Sequence, residues 1–297
     1  MSTFDIITDS TSDLSLELRE KYGISYCKME FSCEDKTYHA SLDWDEISYK
    51  TFYDSMRQGK RFKTVQVPVK TFDEVFREHL DKGQDILYIA CSSGLSGSYN
   101  AAKVYCEELK SDYPGKKIIC IDSLISGMGQ GSMAVKAAQM RDEGCSIEET
   151  SKWIEDNKLF YNQYGTTESL EYLKAAGRVT ASSAFFGNLF SVKPILISDL
   201  EGHNLAVKKV KGRASSLIEL AAMTAQYIID PTEQTIYIGH ADDEAAANTV
   251  AEKIKELIPG ATTSLYVIGP IVGASVGPGT IIVFYRGKNK KEQINGN

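Results

Sequence analysis

The residues best suited to chemistry lie in one short loop, Ser92–Ser98, which reads Ser-Ser-Gly-Leu-Ser-Gly-Ser. It directly follows the apolar run Ile86–Ala90 and precedes the helix-like segment Ala101–Tyr105. In a strand–loop–helix unit, backbone N–H groups and hydroxyls converge at the positive end of the helix dipole, where an anion is favoured. The loop is therefore predicted to hold a negatively charged group, either a carboxylate or a phosphate.

Two further loops of similar composition, Asp9–Asp13 and Asp122–Gly131, also follow predicted strands. Ligands of parallel sheets bind outside the carboxyl ends of the strands, so all three loops are expected to line one cleft. Each loop alone is also explained by turn and cap chemistry, because strand-to-helix connections use Ser, Asp and Gly. The shared position of the three loops makes a common cleft the better interpretation.

Motifs for nucleotide binding and for hydrolysis are absent or imperfect. The chain has no GxxxxGK[ST] motif, and Gly127–Gly131 lacks the GxGxxG spacing of dinucleotide sites. Gly94–Ser98 has its second glycine one residue too early for a nucleophile elbow. Among the histidines only His240 is well placed for chemistry, and a capped turn explains it more simply. The residues predict a ligand site without catalytic residues.

No metal or cofactor is predicted. The sequence contains neither an HExxH motif nor a Cys/His ligand cluster. Three carboxylates in the loops, those of Asp9, Asp13 and Asp122, could together bind a hard cation, and this is kept as a minor alternative.

Length and composition limit the class of protein. The 297 residues suffice for one large or two ordinary domains, and 42% hydrophobic with 25% charged residues is typical of soluble globular proteins. A net charge of −7 argues against nucleic acid as a partner. No apolar run approaches the ~20 residues of a membrane-spanning helix, and no signal peptide is visible. We expect a cytoplasmic protein whose six cysteines are reduced and structural.

Strands and helices alternate along the first half of the chain, which predicts a parallel sheet covered on both faces. The second half adds a hairpin at Glu201–Asn204 and long helices, which favours a mixed or antiparallel sheet. Capping boxes are predicted for the pairs Asp43/Glu46, Thr71/Glu74 and Ser146/Glu149. The predicted fold class is α/β, with domains at residues 1–160 and 161–287 and a disordered tail at 288–297.

Five stretches, spread in order over almost the whole chain, resemble the DegV family of bacterial fatty-acid-binding proteins. They are Ile7–Leu14, Ser92–Tyr99, Leu170–Arg178, Gly187–Leu196 and Ile268–Thr280. The resemblance implies two α/β domains with one long-chain fatty acid buried between them. It also implies a non-catalytic carrier that delivers this fatty acid to a separate ATP-dependent fatty acid kinase and makes at most transient contact with a membrane.

The resemblance further implies roles for single residues. Ser96 matches the family serine that hydrogen-bonds the fatty-acid carboxylate, and Thr64 matches a threonine that contacts the same carboxylate. Arg178 matches an arginine near the head group that is linked to phosphoryl transfer in the kinase complex, and Arg213 matches a basic residue facing the kinase. Without the resemblance, the simpler explanation of Arg178 is a cation that interacts favourably with the negative, C-terminal end of a helix dipole.

The sequence departs from the family pattern at two places. The family segment Thr-Ser-Gln-Pro is here Thr64–Val67, which reads Thr-Val-Gln-Val, and a family histidine is replaced by Ser275. Ser275 is still expected to donate one hydrogen bond to the ligand, but it cannot carry charge. Two alternatives therefore stay open: a phosphoryl or acyl transferase that uses the Ser96 loop with Asp9 or Asp122, and a carrier of another hydrophobic acid.

Overall fold

The protein is described here by a computed structural model, which covers residues 4–180 and 192–295. The part of the predicted Gly187–Leu196 stretch before residue 192 lies outside the described residues. The strands are β1 (Phe4–Asp9), β2 (Ile24–Cys27), β3 (Glu30–Cys33), β4 (Lys36–His39), β5 (Lys63–Val65), β6 (Asp85–Ala90), β7 (Ile118–Asp122), β8 (Tyr161–Thr166), β9 (Val192–Ser198), β10 (Asn204–Lys211), β11 (Thr235–His240), β12 (Thr262–Val267) and β13 (Ile281–Arg286).

The helices are α1 (Leu16–Tyr22), α2 (Tyr49–Arg57), α3 (Val69–Asp81), α4 (Ser98–Asp112), α5 (Gly127–Asp142), α6 (Ile147–Asn157), α7 (Glu171–Ala176), α8 (Arg213–Tyr227), α9 (Glu244–Leu257), α10 (Pro270–Val276) and α11 (Lys290–Asn295). None of these helices is long and apolar enough to cross a membrane.

The first sheet has four parallel strands in the order β2–β1–β6–β7. Its strands are apolar because both faces are covered: α3 and α4 pack together over β6 and β7, while α5 contacts β1 and packs against α1 and α6. On α3, Phe72 and Phe76 pack edge-on against Tyr88 of β6. The predicted parallel α/β arrangement of the first half is confirmed.

The second sheet has six strands in the order β10–β9–β8–β13–β11–β12. Only β11 and β12 pair in parallel among them, so the sheet is mixed, as predicted. The hairpin at Glu201–Asn204 joins β9 to β10, with Asp199 N–H donating to His203 O at 2.9 Å. Helices α8 and α9 pack together against this sheet and bury Leu220 and Ile254 with it.

A third, small sheet has the order β4–β3–β5 and was not predicted. Its strands have three or four residues each, too few to show a clear alternation of apolar and polar positions. The sheet matters for the site because β5 pairs Thr64 with Phe31 and packs against α10.

Two of the three predicted capping boxes are wrong. Helix α2 is capped by Ser48, whose hydroxyl accepts from Thr51 N–H, and α3 begins after Pro68. Asp43 instead forms an ion pair with Arg19. The box formed by Ser146 and Glu149 at the start of α6 is confirmed.

The predicted disordered tail is also wrong over residues 290–295, where α11 forms. Lys290 is 2% exposed, and its Nζ donates to Leu124 O at 2.9 Å and to Ser198 Oγ at 3.1 Å. Gln293 Oε1 accepts from the Tyr164 hydroxyl at 2.7 Å. These buried hydrogen bonds fix a segment whose polar composition suggested disorder. The division into domains at residue 160 stays a prediction, because one apolar core runs from Phe4 to Phe284 across it.

Candidate functional site

The three Ser, Gly and Asp loops meet at the carboxyl edge of the first sheet, as predicted. Ser92 N–H donates to Ile125 O at 3.0 Å, and Gly127 N–H donates to Thr11 O at 2.7 Å. Each loop thus bonds a neighbouring one through its backbone. The loops are a single assembled surface, which meets the geometric requirement for a shared cleft.

Asp9 is the buried centre of this assembly. Its Oδ2 accepts from Cys91 N–H at 2.8 Å and from the Tyr88 hydroxyl at 3.1 Å, while its Oδ1 accepts from Thr11 N–H at 2.9 Å. Asp122 acts in a similar way, since its Oδ1 accepts from the N–H groups of Ser93 and Leu124 at 3.0 and 3.1 Å. Both carboxylates therefore organise loops by accepting backbone hydrogen bonds.

A cavity that is partly open to solvent lies beside the loops. It is lined by all four predicted ligand-binding residues: Thr64, Ser96, Arg178 and Ser275. Arg178 is the one charged residue among its described lining residues. The apolar side chains that line it are those of Met29, Leu95, Ile271, Val272 and Val276. The cavity thus combines one cation and several hydroxyls with an apolar surface.

Ser96 lines this cavity and belongs to a short chain of hydrogen bonds. Its Oγ is 2.9 Å from Ser98 Oγ and accepts from Ser98 N–H at 3.2 Å. Ser98 Oγ in turn accepts from Val67 N–H at 3.1 Å. When the Ser98 hydroxyl donates to Ser96, the hydrogen of Ser96 is free to point at a ligand in the cavity.

Arg178 reaches the cavity because α7 ends just before it, at Gly177 in the left-handed conformation (φ 66°). Its Nε donates to Leu95 O at 2.7 Å and its Nη1 donates to Ala176 O at 2.6 Å. Both partners are neutral carbonyls, so the charge is held beside the Ser92–Ser98 loop without a carboxylate partner among the described residues. The bond to Ala176 O at the end of α7 also fits the helix-dipole explanation.

Ser275 comes into the cavity on α10, a helix that the sequence analysis missed. The N-terminal end of α10 is fixed from the first half of the chain: Asp13 Oδ1 accepts from Gly269 N–H at 3.1 Å, and the Tyr53 hydroxyl donates to Ile268 O at 2.7 Å. Burial raises the pKa of the Asp13 carboxyl well above its ordinary value, and Oδ2 of Asp13 has no hydrogen-bond partner among the described residues. Within residues 4–180 and 192–295, Ser275 Oγ makes one long contact of 3.4 Å, to Ile271 O, so it can bond a ligand.

Arg213 does not line the cavity. Its side chain is 21% exposed, and it lies 3.1 Å from both Glu168 Oε1 and Asp243 Oδ2 and also donates to Gly279 O. These contacts give Arg213 a role in holding the segment after α10. Its predicted role in facing a partner stays a prediction.

Several residues of the cavity wall escaped sequence reasoning. Gln66 lines the cavity and lies so close over Gly97 that a Cβ on Gly97 would be 2.0 Å from Gln66 Oε1. Asn204 and Ser126 also line it. Gln66 could have been predicted, because it lies two residues after Thr64 in the segment already assigned to the site. Asn204 lies in the hairpin, and no sequence pattern connects it with the site.

The glycines at 127–131 were predicted as a loop, but they form the first turns of α5. Gly127 has φ 58°, and a Cβ there would lie 2.6 Å from the Phe284 ring. A Cβ on Gly129 would lie 2.4 Å from Ile125 Cδ1. The glycines are therefore explained by close packing of α5 against its neighbours and not by phosphate binding.

The three loop carboxylates and His240 lie outside the cavity lining. Within residues 4–180 and 192–295, the potential metal ligands that gather in a group of three are Asp199, Glu201 and His203, and the predicted trio of loop carboxylates does not gather. His240 is 6% exposed, and burial lowers the pKa of its imidazole. It does not line the cavity.

Sequence comparison finds relatives that match along the whole chain. A DegV domain-containing protein of Clostridium perfringens is 38% identical over 293 residues, covering 98% of this chain and 100% of its own length. One from Streptococcus pyogenes serotype M3 is 32% identical over 289 residues, covering 97% and 100%. Both relatives therefore share the full length of the chain.

Solved structures share the fold. A structure described as fatty acid binding of a DegV family protein from Thermus thermophilus matches with a TM-score of 0.83 at 26% identity, covering 96% of this chain and 99% of its own. DegV of Bacillus subtilis, described as a fatty acid binding protein, matches with a TM-score of 0.82 at 25% identity and the same coverage. The sequence model of the family, described as an uncharacterised protein of the DegV family, matches residues 3–288. The chain therefore belongs to the DegV family.

Proposed function

We propose that this chain binds a long-chain fatty acid in the cavity, with the carboxylate at the Ser96 loop. The observation that carries the proposal is the division of the cavity wall: hydroxyls and the Arg178 guanidinium lie beside apolar residues, and no described lining residue is acidic. A ligand with one negative charge and a long apolar part matches such a wall.

The two solved relatives at 25% and 26% identity, described as fatty-acid-binding, support the same ligand class. Burying an acyl chain stabilises a complex by roughly 0.8 kcal/mol per CH₂, so about 14 methylenes supply on the order of 10 kcal/mol before ordering costs are subtracted. The apolar wall therefore provides most of the affinity, and the polar loop fixes the head group.

The proposal includes a carrier role. The chain presents its fatty acid to a separate fatty acid kinase in the cytoplasm, with Arg178 near the transferred group and Arg213 near the partner. No catalytic residue is assigned to the chain itself. The test is to incubate the loaded protein with ATP, with and without a bacterial fatty acid kinase. Phosphorylation of the fatty acid only in the presence of the kinase is expected.

The binding proposal is tested by mass spectrometry of the purified protein after denaturation. Release of a stoichiometric long-chain fatty acid is expected. A delipidated protein that takes up no such acid contradicts the proposal, and release of a different hydrophobic acid favours the second carrier alternative.

The transferase alternative has weaker support. It needs Asp9 or Asp122 to act with Ser96, but the Asp9 carboxylate already accepts four hydrogen bonds and Asp122 Oδ1 accepts two. Turnover of ATP or of acyl esters by the isolated chain, lost in Ser96→Ala, is the result that would favour it.

A further inference from the structure

The structure brings together two cysteines that no sequence motif pairs. Cys106 lies in α4 and Cys120 in β7, and their Sγ atoms are 3.1 Å apart. Both are free thiols. Closing a bond between them requires an approach of about 1 Å, to the ~2.05 Å of a disulfide. The two sulfurs therefore already lie near bonding distance.

The two thiols differ in accessibility. Cys106 is 3% exposed, whereas Cys120 is half-buried on β7, the edge strand of the first sheet. Cys120 is therefore the thiol of the pair that a reagent is expected to reach first. Neither residue lines the fatty-acid cavity, so the pair is separate from the site described above.

We propose that Cys106 and Cys120 are a redox-active pair that closes to an internal disulfide when a low-molecular-mass disulfide such as oxidised glutathione reacts with it. The Cys120 thiolate attacks one sulfur of the small disulfide, forms a mixed disulfide and releases one small thiol. Cys106, after losing its proton, attacks the Cys120 sulfur and releases the second small thiol. Two electrons pass from the pair to the small disulfide, and the two thiol protons end on the released thiols.

The surroundings of the two thiols determine how fast they react with a disulfide. The hydrogen bond with Cys106 and burial raise the pKa of the Cys120 thiol well above its ordinary value, so little thiolate is present near neutral pH. Exchange proceeds through the thiolate, and the reaction is therefore slow at neutral pH and faster at higher pH.

The bridge would join two elements that border the ligand site. Helix α4 begins at Ser98, directly after the Ser92–Ser98 loop, and β7 ends at Asp122, directly before the third loop. A covalent link across α4 and β7 closes a loop with a sequence separation of 14 residues. Such a link restrains α4 against the sheet without touching the ligand.

The experiment exposes the full-length protein to oxidised glutathione at pH 7 and pH 9 and follows intact mass. A product lighter by about 2 Da is expected, formed faster at pH 9, with the Cys106 and Cys120 peptides linked after digestion and the change reversed by a reductant. Cys106→Ser should instead retain glutathione on Cys120, and Cys120→Ser should form neither product. Cys145→Ser, which removes an unpaired half-buried thiol, is the matched control and should behave as the wild type.

Three results would overturn the inference. They are a folded wild-type protein that keeps both thiols under conditions that oxidise the urea-unfolded chain, a stable glutathione adduct on wild-type Cys120, and an internal disulfide that still forms in Cys106→Ser.

Discussion

The hydroxyl oxygens of Ser96 and Ser98 lie 2.9 Å apart, and Ser98 also receives the N–H of Val67 from the segment that carries Thr64. One buried serine therefore connects the Ser92–Ser98 loop to the opposite wall of the cavity. The two serines therefore have different roles. Ser98 accepts a structural hydrogen bond from Val67 N–H, whereas the Ser96 hydroxyl lines the cavity and can bond the ligand.

Ser96→Ala is expected to weaken fatty-acid binding roughly ten- to a hundredfold, because a hydrogen bond to a charged group contributes about 1.5–3 kcal/mol. Isothermal titration of the delipidated protein measures the change. Ser93→Ala, in the same loop but outside the cavity lining, is the control and should bind as the wild type. Unchanged affinity in Ser96→Ala would count against the head-group assignment.

Ser98→Ala should lower stability more than Ser96→Ala does. The substitution leaves the Val67 N–H without its acceptor at a fully buried position, which costs about 1–3 kcal/mol. Urea unfolding of the two variants provides the comparison. Equal midpoints would show that the bond from Val67 to Ser98 contributes little.

Arg178→Gln should weaken binding by a smaller factor, about two- to fivefold, since Arg178 is exposed and exposed ion pairs are worth about 0.2–1 kcal/mol. The loss should shrink as salt is raised, because salt screens exposed charges. Titrations at two salt concentrations test this, with Lys103→Gln, an exposed cation on α4, as control. A loss independent of salt would point to the two carbonyl bonds of Arg178 as its main contribution.

Lys290 should make stability depend on pH. Burial lowers the pKa of its ammonium group to about 7, whereas an unfolded lysine titrates near ~10.4. Between these values the unfolded state binds the extra proton, so the free energy of unfolding rises with pH by up to about 1.4 kcal/mol per unit. Below pH 7 both states are protonated and this contribution stops changing.

Lys290→Met removes that titration. The stability of the wild type relative to the variant should therefore increase from pH 7 to pH 10, as measured by urea unfolding. Lys291→Met, on the exposed side of the same helix, should leave the pH profile unchanged. Parallel profiles for wild type and Lys290→Met would contradict the buried position of the ammonium group.

Asp13→Asn and Asp13→Ala should differ. Asparagine keeps an acceptor for Gly269 N–H and tolerates φ 53°, so at neutral pH its effect should be within about 1 kcal/mol, whereas alanine loses the acceptor and costs about 1–3 kcal/mol. The raised pKa of Asp13 means that the folded state keeps a proton that the unfolded state has lost above ~4, so stability falls as pH rises there. Asp13→Asn should abolish this fall in urea unfolding measured from pH 4 to pH 7. Identical profiles for wild type and Asp13→Asn would contradict it.

The sequence sufficed for the first sheet and for the loops at its edge, because apolar strands followed directly by Ser, Gly and Asp are a local pattern. It did not suffice for the cavity as a whole. Thr64, Arg178 and Ser275 come from β5, the end of α7 and α10, and nothing local indicates that they converge. These three residues were predicted from the family resemblance alone, and they line the same cavity.

Tertiary packing explains the remaining errors. The glycines of 127–131 favour a loop on propensity alone, but their missing side chains let α5 approach Phe284 and Ile125. Helix α10 was likewise not predicted, because the stretch after Ile268 is rich in Gly and Pro. Pro270 lies in the first turn of α10, where a backbone N–H has no partner within the helix, so the missing N–H does not destabilise it. The tail was predicted to be disordered because charged residues such as Lys290 are rarely buried, whereas Lys290 is buried in the structure.

The attachment of α10 to Asp13 and Tyr53 bears on how the protein can be divided. A fragment ending at residue 160 would keep Thr64 and Ser96 but lose Arg178 and the α10 side of the wall. A fragment beginning there would keep α10 without the two residues that hold its first turn. Neither fragment contains the whole cavity lining, so the ligand is retained only while both parts of the chain stay together. A single proteolytic cut that lets the two fragments separate should therefore release the bound acid.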